Sequence, residues 1–267
     1  MAFNIWAGNR WVYNMKLTKK LRLWKSCFSP IALYDFTPKS YLEKPVIVSL
    51  TTVPSRVKYL KATILSILKQ SVQPAYISLN LGKKPKKEDI PWNVPLWLQK
   101  LKSVKIFWQE EDYGPATKFI PTLLRHRNDD ILIIIIDDDM IYPKNLIQNF
   151  IAADRQARGR HVFCSNGHLI NANLDCNFPS SRRIKSGQNR VAIIEGCGGY
   201  CLRPTHLDLN SLVDFKNSPD KAWLIDDLWI SGNLSKNKIS KYQIASGKRK
   251  SLYQSLEPAI SENRLEV

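Results

Sequence analysis

The chain has 267 residues, 44% of them hydrophobic, enough to bury a substantial core in one large domain. Forty lysines and arginines against 23 aspartates and glutamates give a formal charge of +17, which favours anionic partners such as nucleic acid, acidic phospholipid, a phosphorylated glycolipid or a nucleotide. Five cysteines without paired C-x-x-C spacing argue against a structural zinc site and fit reduced thiols; no stretch approaches the ~20 apolar residues needed to span a bilayer. The expectation is a cytoplasmic protein, soluble or peripheral on the inner face of the membrane.

Residues 1–44 form a basic, aromatic arm in which Leu17, Leu21, Trp24 and Phe28 recur at helical spacing until Pro30. That face suits either an anionic membrane surface or docking on the protein's own core. From residue 45 the pattern alternates strand and helix, and residues 45–235 are taken as the main domain. Residues 46–50 are an apolar, β-rich run, and Val57, Leu60, Ile64 and Ile67 then repeat at helical spacing. Strands follow at 76–81 and 104–108, separated by the lysine run Lys83, Lys84, Lys86 and Lys87 and the proline- and tryptophan-bearing stretch 91–97, read as solvated loop.

A helix around Phe119, Leu123 and Leu124 leads to residues 131–136, the strongest strand signal, ending abruptly in Asp137-Asp138-Asp139. This alternation predicts an α/β fold: a doubly wound, mainly parallel sheet flanked by helices, as a single domain with N- and C-terminal extensions. Its ligands are expected at the C-terminal ends of the strands.

Three successive carboxylates beside a low-dielectric core repel one another, and a divalent cation is the natural compensation. Alternate side chains of an extended segment point the same way, so Asp137 and Asp139 can converge on one ion while Asp138 points elsewhere. Oxygen ligands suit Mn2+ or Mg2+ bridging to a diphosphate; an acidic cap exposed to water is the alternative. The four histidines are scattered, and no two have metal-ligand spacing.

Four segments together carry a family resemblance: Val-Ile-Val-Ser-Leu-Thr-Thr-Val-Pro-Ser-Arg (46–56), Asp-Tyr-Gly-Pro-Ala-Thr-Lys (112–118), Asp-Asp-Asp-Met-Ile-Tyr-Pro (137–143) and Asp-Asp-Leu-Trp (226–229). In this order and spacing the chain resembles the GT-A nucleotide-sugar glycosyltransferases, in a bacterial family 2-like branch, over roughly residues 46–234. The resemblance implies a metal held by Asp137 and Asp139 on the donor diphosphate. It implies a donor-binding set of Thr51, Thr52, Arg56, Asn80, Asp112, Lys118, Asp137 and Asp138.

Bland alternatives stand beside several of these. Arg56 either pairs with a phosphate or is a solvated arginine at a helix start. Asn80 either reads the base or caps a turn. Either Asp112 hydrogen-bonds the base or ribose and Lys118 neutralises donor phosphate, or Asp112 only begins a turn and Lys118 faces water.

In the second half, Gly196, Gly198 and Gly199 permit positive φ values or close backbone approach, and the resemblance makes Gly198, Gly199 and Tyr200 line the sugar or acceptor; a tight ligand-free turn is the alternative. Asp226 and Asp227 fall at a helix start, where the helix dipole already favours acids. The resemblance adds a catalytic role, with Asp227 taking the acceptor hydroxyl's proton and Asp226 orienting it. Arg182, Arg183 and Lys185 form a lid, an anion contact or a plain loop. Residues 236–267 read as a basic tail.

The implied function is an inverting transfer from a nucleoside diphosphate-sugar, with a UDP-sugar favoured, to a glycan or glycolipid in bacterial surface polysaccharide or lipopolysaccharide assembly. Two other classes compete: a nucleic-acid-binding protein, for which no recognisable module is present, and a metal-dependent nucleotidyltransferase or phosphohydrolase.

Overall fold

The computed structural model describes residues 30–37, 46–170, 188–216, 218, 224–245 and 250–251. The helical face expected within residues 16–28, the loop bearing Arg182, Arg183 and Lys185, and most of the basic tail lie outside the described residues.

The apolar run opening the domain forms β1 (Val46–Thr51), followed by a 3-10 turn at Val57–Tyr59 and helix α1 (Lys61–Leu68). The helix expected from residue 57 therefore starts as a tighter turn, a frequent form of helix entry. Next come β2 (Tyr76–Gly82), the short α2 (Leu96–Gln99), β3 (Val104–Gln109), α3 (Ile120–Arg125) and β4 (Leu132–Ile135). These strands lie in the order β3-β2-β1-β4, all parallel, which is the order right-handed crossovers give to half of a doubly wound sheet.

The second half adds β5 (Met140–Ile141), α4 (Leu146–Gln156), β6 (Val162–Cys164), β7 (Gly167–His168), β8 (Gln188–Val191), β9 (Ile193–Ile194), β10 (Tyr200–Leu202), α5 (Leu209–Val213), α6 (Asp226–Lys236), β11 (Lys241–Ile244) and β12 (Lys250–Ser251). β10 runs antiparallel between β4 and β6, and the sheet continues through β11 to β8, making eight strands. Two short ribbons, β5 with β12 and β7 with β9, stand apart from it. The strand-like residues 191–194 therefore divide: Val191 pairs with Lys241 in the main sheet, and Ile193 with His168 in a ribbon.

Strand alternation assigns the core to two faces. Val48, Leu50, Ile134 and Ile136 point to the face covered by α1 and α4, where Ile64, Ile67, Leu146 and Phe150 meet them. Ile47, Ile133 and Ile135 point to the other, covered by Phe119, Leu123, Leu212 and Ile230 from the α3, α5 and α6 side. Burial on both faces is why these strands read as unbroken apolar runs.

The expected domain limits need correction at both ends. β11, beyond residue 235, is an interior strand of the sheet, and Ile31, before residue 45, joins the core. Lys-Tyr-Gln-Ile was unrecognisable as buried strand because Lys241 goes inward, its ammonium donating to the Ser231 carbonyl at 3.1 Å and Ser235 Oγ at 2.5 Å on α6. Among the described residues no helix is long and apolar enough to cross a membrane.

Arg203, 4% exposed, ties this frame together below the site. Its guanidinium grips Asp154 of α4 through Nε at 3.2 Å and Nη2 at 2.5 Å, and reaches Asp130 before β4 at 2.5 Å. Arg203→Met strands the buried Asp154 carboxylate and is expected to cost about 3–5 kcal/mol, seen as a lower urea midpoint; adding Asp154→Leu should restore most of the loss.

Candidate active site

β1 and β4 end side by side, and the site grows from their ends. The last sheet bond of the pair runs from the Ile136 amide to the Ser49 carbonyl, 3.1 Å, after which Asp137, Asp138 and Asp139 leave the sheet. Asp138 turns inward and is 7% exposed. Thr52 Oγ1 donates to its Oδ2 at 2.5 Å, Arg56 Nη2 lies 3.1 Å from its Oδ1, and Thr63 Oγ1 donates to its carbonyl at 2.8 Å. Burial raises its pKa, against the pull of Arg56 and Thr52. Asp138 thus clamps the end of β4 to the turn after β1.

Asp137 faces the opposite way, onto Lys118. This lysine ends the 3-10 turn Gly114–Lys118 and is 5% exposed. Its Nζ lies 2.7 Å from Asp137 Oδ1, 2.6 Å from Asp226 Oδ2 and 3.9 Å from Asp227 Oδ1. Burial alone would discharge the amine, but the three carboxylates hold its pKa well above the ordinary lysine value. The Gly196 amide donates to Asp227 Oδ1 at 3.0 Å. A Cβ at Gly196 would strike Lys118 Nζ and come 2.6 Å from Asp137 Oδ1, so a side chain there would have to displace this ion pair.

Burial, with the charges of Asp226 and Asp137 added and Lys118 opposing, raises Asp227 to about 7. Burial and the repulsion of Asp138 and Asp137, only partly offset by Arg56, raise Asp139 to about 6. Among the described residues no three His, Cys, Asp or Glu side chains form a ready metal cage. A magnesium-type site needs only one or two carboxylates, completed by phosphate and water. The oxygen donors of Asp137 and Asp139 are of the kind such an ion takes, and a cation there would relieve the burial and carboxylate repulsion that raise Asp139.

Of the residues singled out from sequence, Thr51, Thr52, Arg56, Asp112, Lys118, Asp137, Asp138, Asp139, Asp226 and Asp227 line one cleft. Asn80 does not. It is fully buried, its amide donating to Ser49 Oγ and Thr122 Oγ1 and its oxygen accepting from Arg125 Nη2 at 2.8 Å. Nor does the Tyr200 side chain, fully buried on β10. Gly198 and Gly199 shape the turn behind the cleft, Gly199 with φ +77°, and the glycine that meets the site is Gly196.

Asp112 has both oxygens engaged, Oδ1 by the Gly114 amide at 2.9 Å and Thr117 Oγ1 at 2.8 Å, Oδ2 by the Lys86 amide at 2.7 Å. Sequence reasoning passed over Lys87 and Trp92, which also line the cleft. The one signal was an aromatic side chain within an otherwise polar loop. It also passed over Glu195, which accepts from Asn166 Nδ2 at 3.0 Å and meets His168 Nε2 at 2.5 Å, anchoring the residue before Gly196.

Neither a protein-family model nor a curated protein matches the sequence. Solved structures do match in fold. S. aureus TarS 1–349 in complex with UDP superposes with a TM-score of 0.52 at 14% identity, over 77% of this chain and 59% of that one. TarS 1–349 without UDP gives 0.49 at 14%, over 76% and 58%, and GalNAc-T7 with UDP, GalNAc and Mn2+ gives 0.47 at 13%, over 78% and 43%. The chain spans about three-fifths of the length of the TarS chain it matches. Its fold is GT-A-like: a mixed, mostly parallel eight-stranded sheet flanked by helices, as the sequence led us to expect.

A carboxylate with a raised folded pKa is protonated in the native state while the unfolded chain has already ionised, so stability falls as pH rises from the unfolded value toward the folded one. Between pH 5 and 8 the wild type should lose stability relative to Asp227→Asn, levelling above the folded value of about 7. Buried His206, held below its ordinary value, pulls the other way but is common to both proteins and cancels in the difference. Urea midpoints across that range check this; parallel curves would show that Asp227 ionises as an ordinary carboxylate.

Proposed function

We propose that the chain is an inverting glycosyltransferase that moves a sugar from a nucleoside diphosphate-sugar to a hydroxyl of a glycan or glycolipid. The observation that carries this reading is the meeting, through Lys118, of Asp137 of the acidic triplet after β4 with the acid pair that opens α6. Asp227, with a pKa of about 7, is matched to a general base at neutral pH. The UDP bound by TarS supports a uridine donor. A surface-polysaccharide or lipopolysaccharide acceptor at the inner face of an anionic membrane is supported by the +17 charge and the sequence resemblance.

In this mechanism Asp227 accepts the acceptor hydroxyl's proton while the hydroxyl oxygen forms its bond to the anomeric carbon. The bond from that carbon to the diphosphate oxygen breaks with its electron pair, releasing the nucleoside diphosphate and inverting the configuration. Asp226, held by Lys118, orients the acceptor side. Asp137 and Asp139 would hold Mn2+ or Mg2+, which when bound supplies positive charge to the leaving diphosphate. The Gly196 amide fixes the base's orientation through its bond to Asp227.

Calorimetry with UDP, GDP and CDP, with and without Mn2+, should show one nucleotide binding only with metal and Asp139→Ala abolishing it. If none binds under any condition, the reading fails. In turnover, Asp227→Asn should lower kcat by about 10²–10⁴. Wild-type kcat/KM should rise with pH through about 7, because the base works deprotonated. A product of retained configuration would exclude Asp227 as the base.

A further inference from the structure

The end of the cleft away from α6 is built by a loop that composition alone marks as plain surface. Residues 83–92 leave the end of β2 and cross the cleft mouth, fastened at three separate points. The Lys86 amide donates to Asp112 Oδ2 at 2.7 Å. Glu88 accepts from the Ser55 amide at 2.9 Å and Ser55 Oγ at 2.6 Å, reaching the turn after β1. Trp92 Nε1 donates to the Gly82 carbonyl at 2.8 Å, closing the loop on the strand it left.

A solvated loop needs none of these anchors, and together they hold the segment as a strap. Gly82 admits the close approach of Asp112, since a Cβ there would lie 2.7 Å from Asp112 Cβ. Trp92 is braced from outside by Trp108, edge-on at 5.6 Å and 79°. It lines the same cleft as the carboxylates.

We infer that Trp92 is the wall on which the nucleobase of the donor stacks, with Lys87 beside it supplying positive charge. The inference rests on the donor reading and deepens it. Asp112, the residue at this end best suited to reading a base by hydrogen bonds, has both oxygens committed to the protein. The indole's one polar hydrogen is likewise committed to Gly82. What remains for a ligand is an aromatic surface, which stacks on any base. The sugar is an unsuitable occupant here, because Trp92 is tied to the end of β2, while the proposed base Asp227 sits beyond β1 and β4 on α6. Trp92 therefore distinguishes a nucleotide from a bare diphosphate and gives little choice among bases.

The test is calorimetry in Mn2+ with UDP, GDP, CDP and inorganic pyrophosphate on wild type, Trp92→Ala and Trp92→Phe. Trp92→Ala should weaken the nucleoside diphosphate that wild type binds by roughly ten- to hundredfold, with pyrophosphate unchanged and Trp92→Phe retaining most of the affinity. Undiminished nucleotide binding by Trp92→Ala, or an equal loss of pyrophosphate, overturns the inference and leaves the donor reading standing. Failure of wild type to bind any nucleotide overturns both.

Discussion

A lysine ammonium enclosed by three carboxylates is the interaction on which the rest of the site depends. Lys118 buried alone would lose its proton, and Asp137, Asp226 and Asp227 brought together alone would repel; each half is costly by several kcal/mol without the other. The requirement propagates outward. It favours glycine at 196, where a Cβ would press on Lys118 Nζ and Asp137 Oδ1. It demands a rigid turn ahead of Lys118, which Asp112 supplies by receiving the Gly114 amide and the Thr117 hydroxyl. It also makes Asp137, just past β4, and Asp226, at the start of α6, one electrostatic unit although they are 89 residues apart in sequence.

The fold explains why these groups can meet. Strands β1 and β4 are parallel neighbours, β1 followed by α1 on one face and β4 reached from α3 on the other, so a crevice opens where their chains leave the sheet. Antiparallel β10 then brings the glycine turn back against β4, with Tyr200 opposite Ile135. Loops around such a crevice would be mobile if left to solvent. Here Asp138 to Thr52 and Arg56, and Glu88 to Ser55, fix them before any ligand arrives, reducing the ordering cost of binding.

What the sequence disclosed, and what it hid, follows from the range of the interaction concerned. The runs at 46–50 and 131–136 were readable because burial on both faces leaves only apolar residues, and the acid pair at 226–227 because a helix start is a local event. Asn80 was misplaced because its position at the end of a strand does not reveal that Ser49, Thr122 and Arg125 gather beneath the sheet to satisfy it. Lys118 lines the cleft, but its partners are carboxylates contributed from 19, 108 and 109 residues away, which no spacing rule connects. Lys241 hid a strand for the same reason, its polar end being satisfied by the helix above it.

The charge balance of the cleft bears on how a diphosphate would enter it. Six acids line it, Asp112, Asp137, Asp138, Asp139, Asp226 and Asp227, against three cations, Arg56, Lys87 and Lys118. Arg56 is already paired with Asp138 and Lys118 with three carboxylates, so neither is a spare charge for a phosphate. The molecule as a whole carries +17, yet at this point its lining is acidic. An anionic ligand meets net repulsion there unless a divalent cation accompanies it, and Asp139, raised to about 6 by burial and by the charges of Asp138 and Asp137, is a carboxylate that such a cation would relieve. Under the proposed transferase reading, the long-range field draws anions toward the protein, and a divalent cation shared by the carboxylates and the ligand would offset the acidity of the crevice.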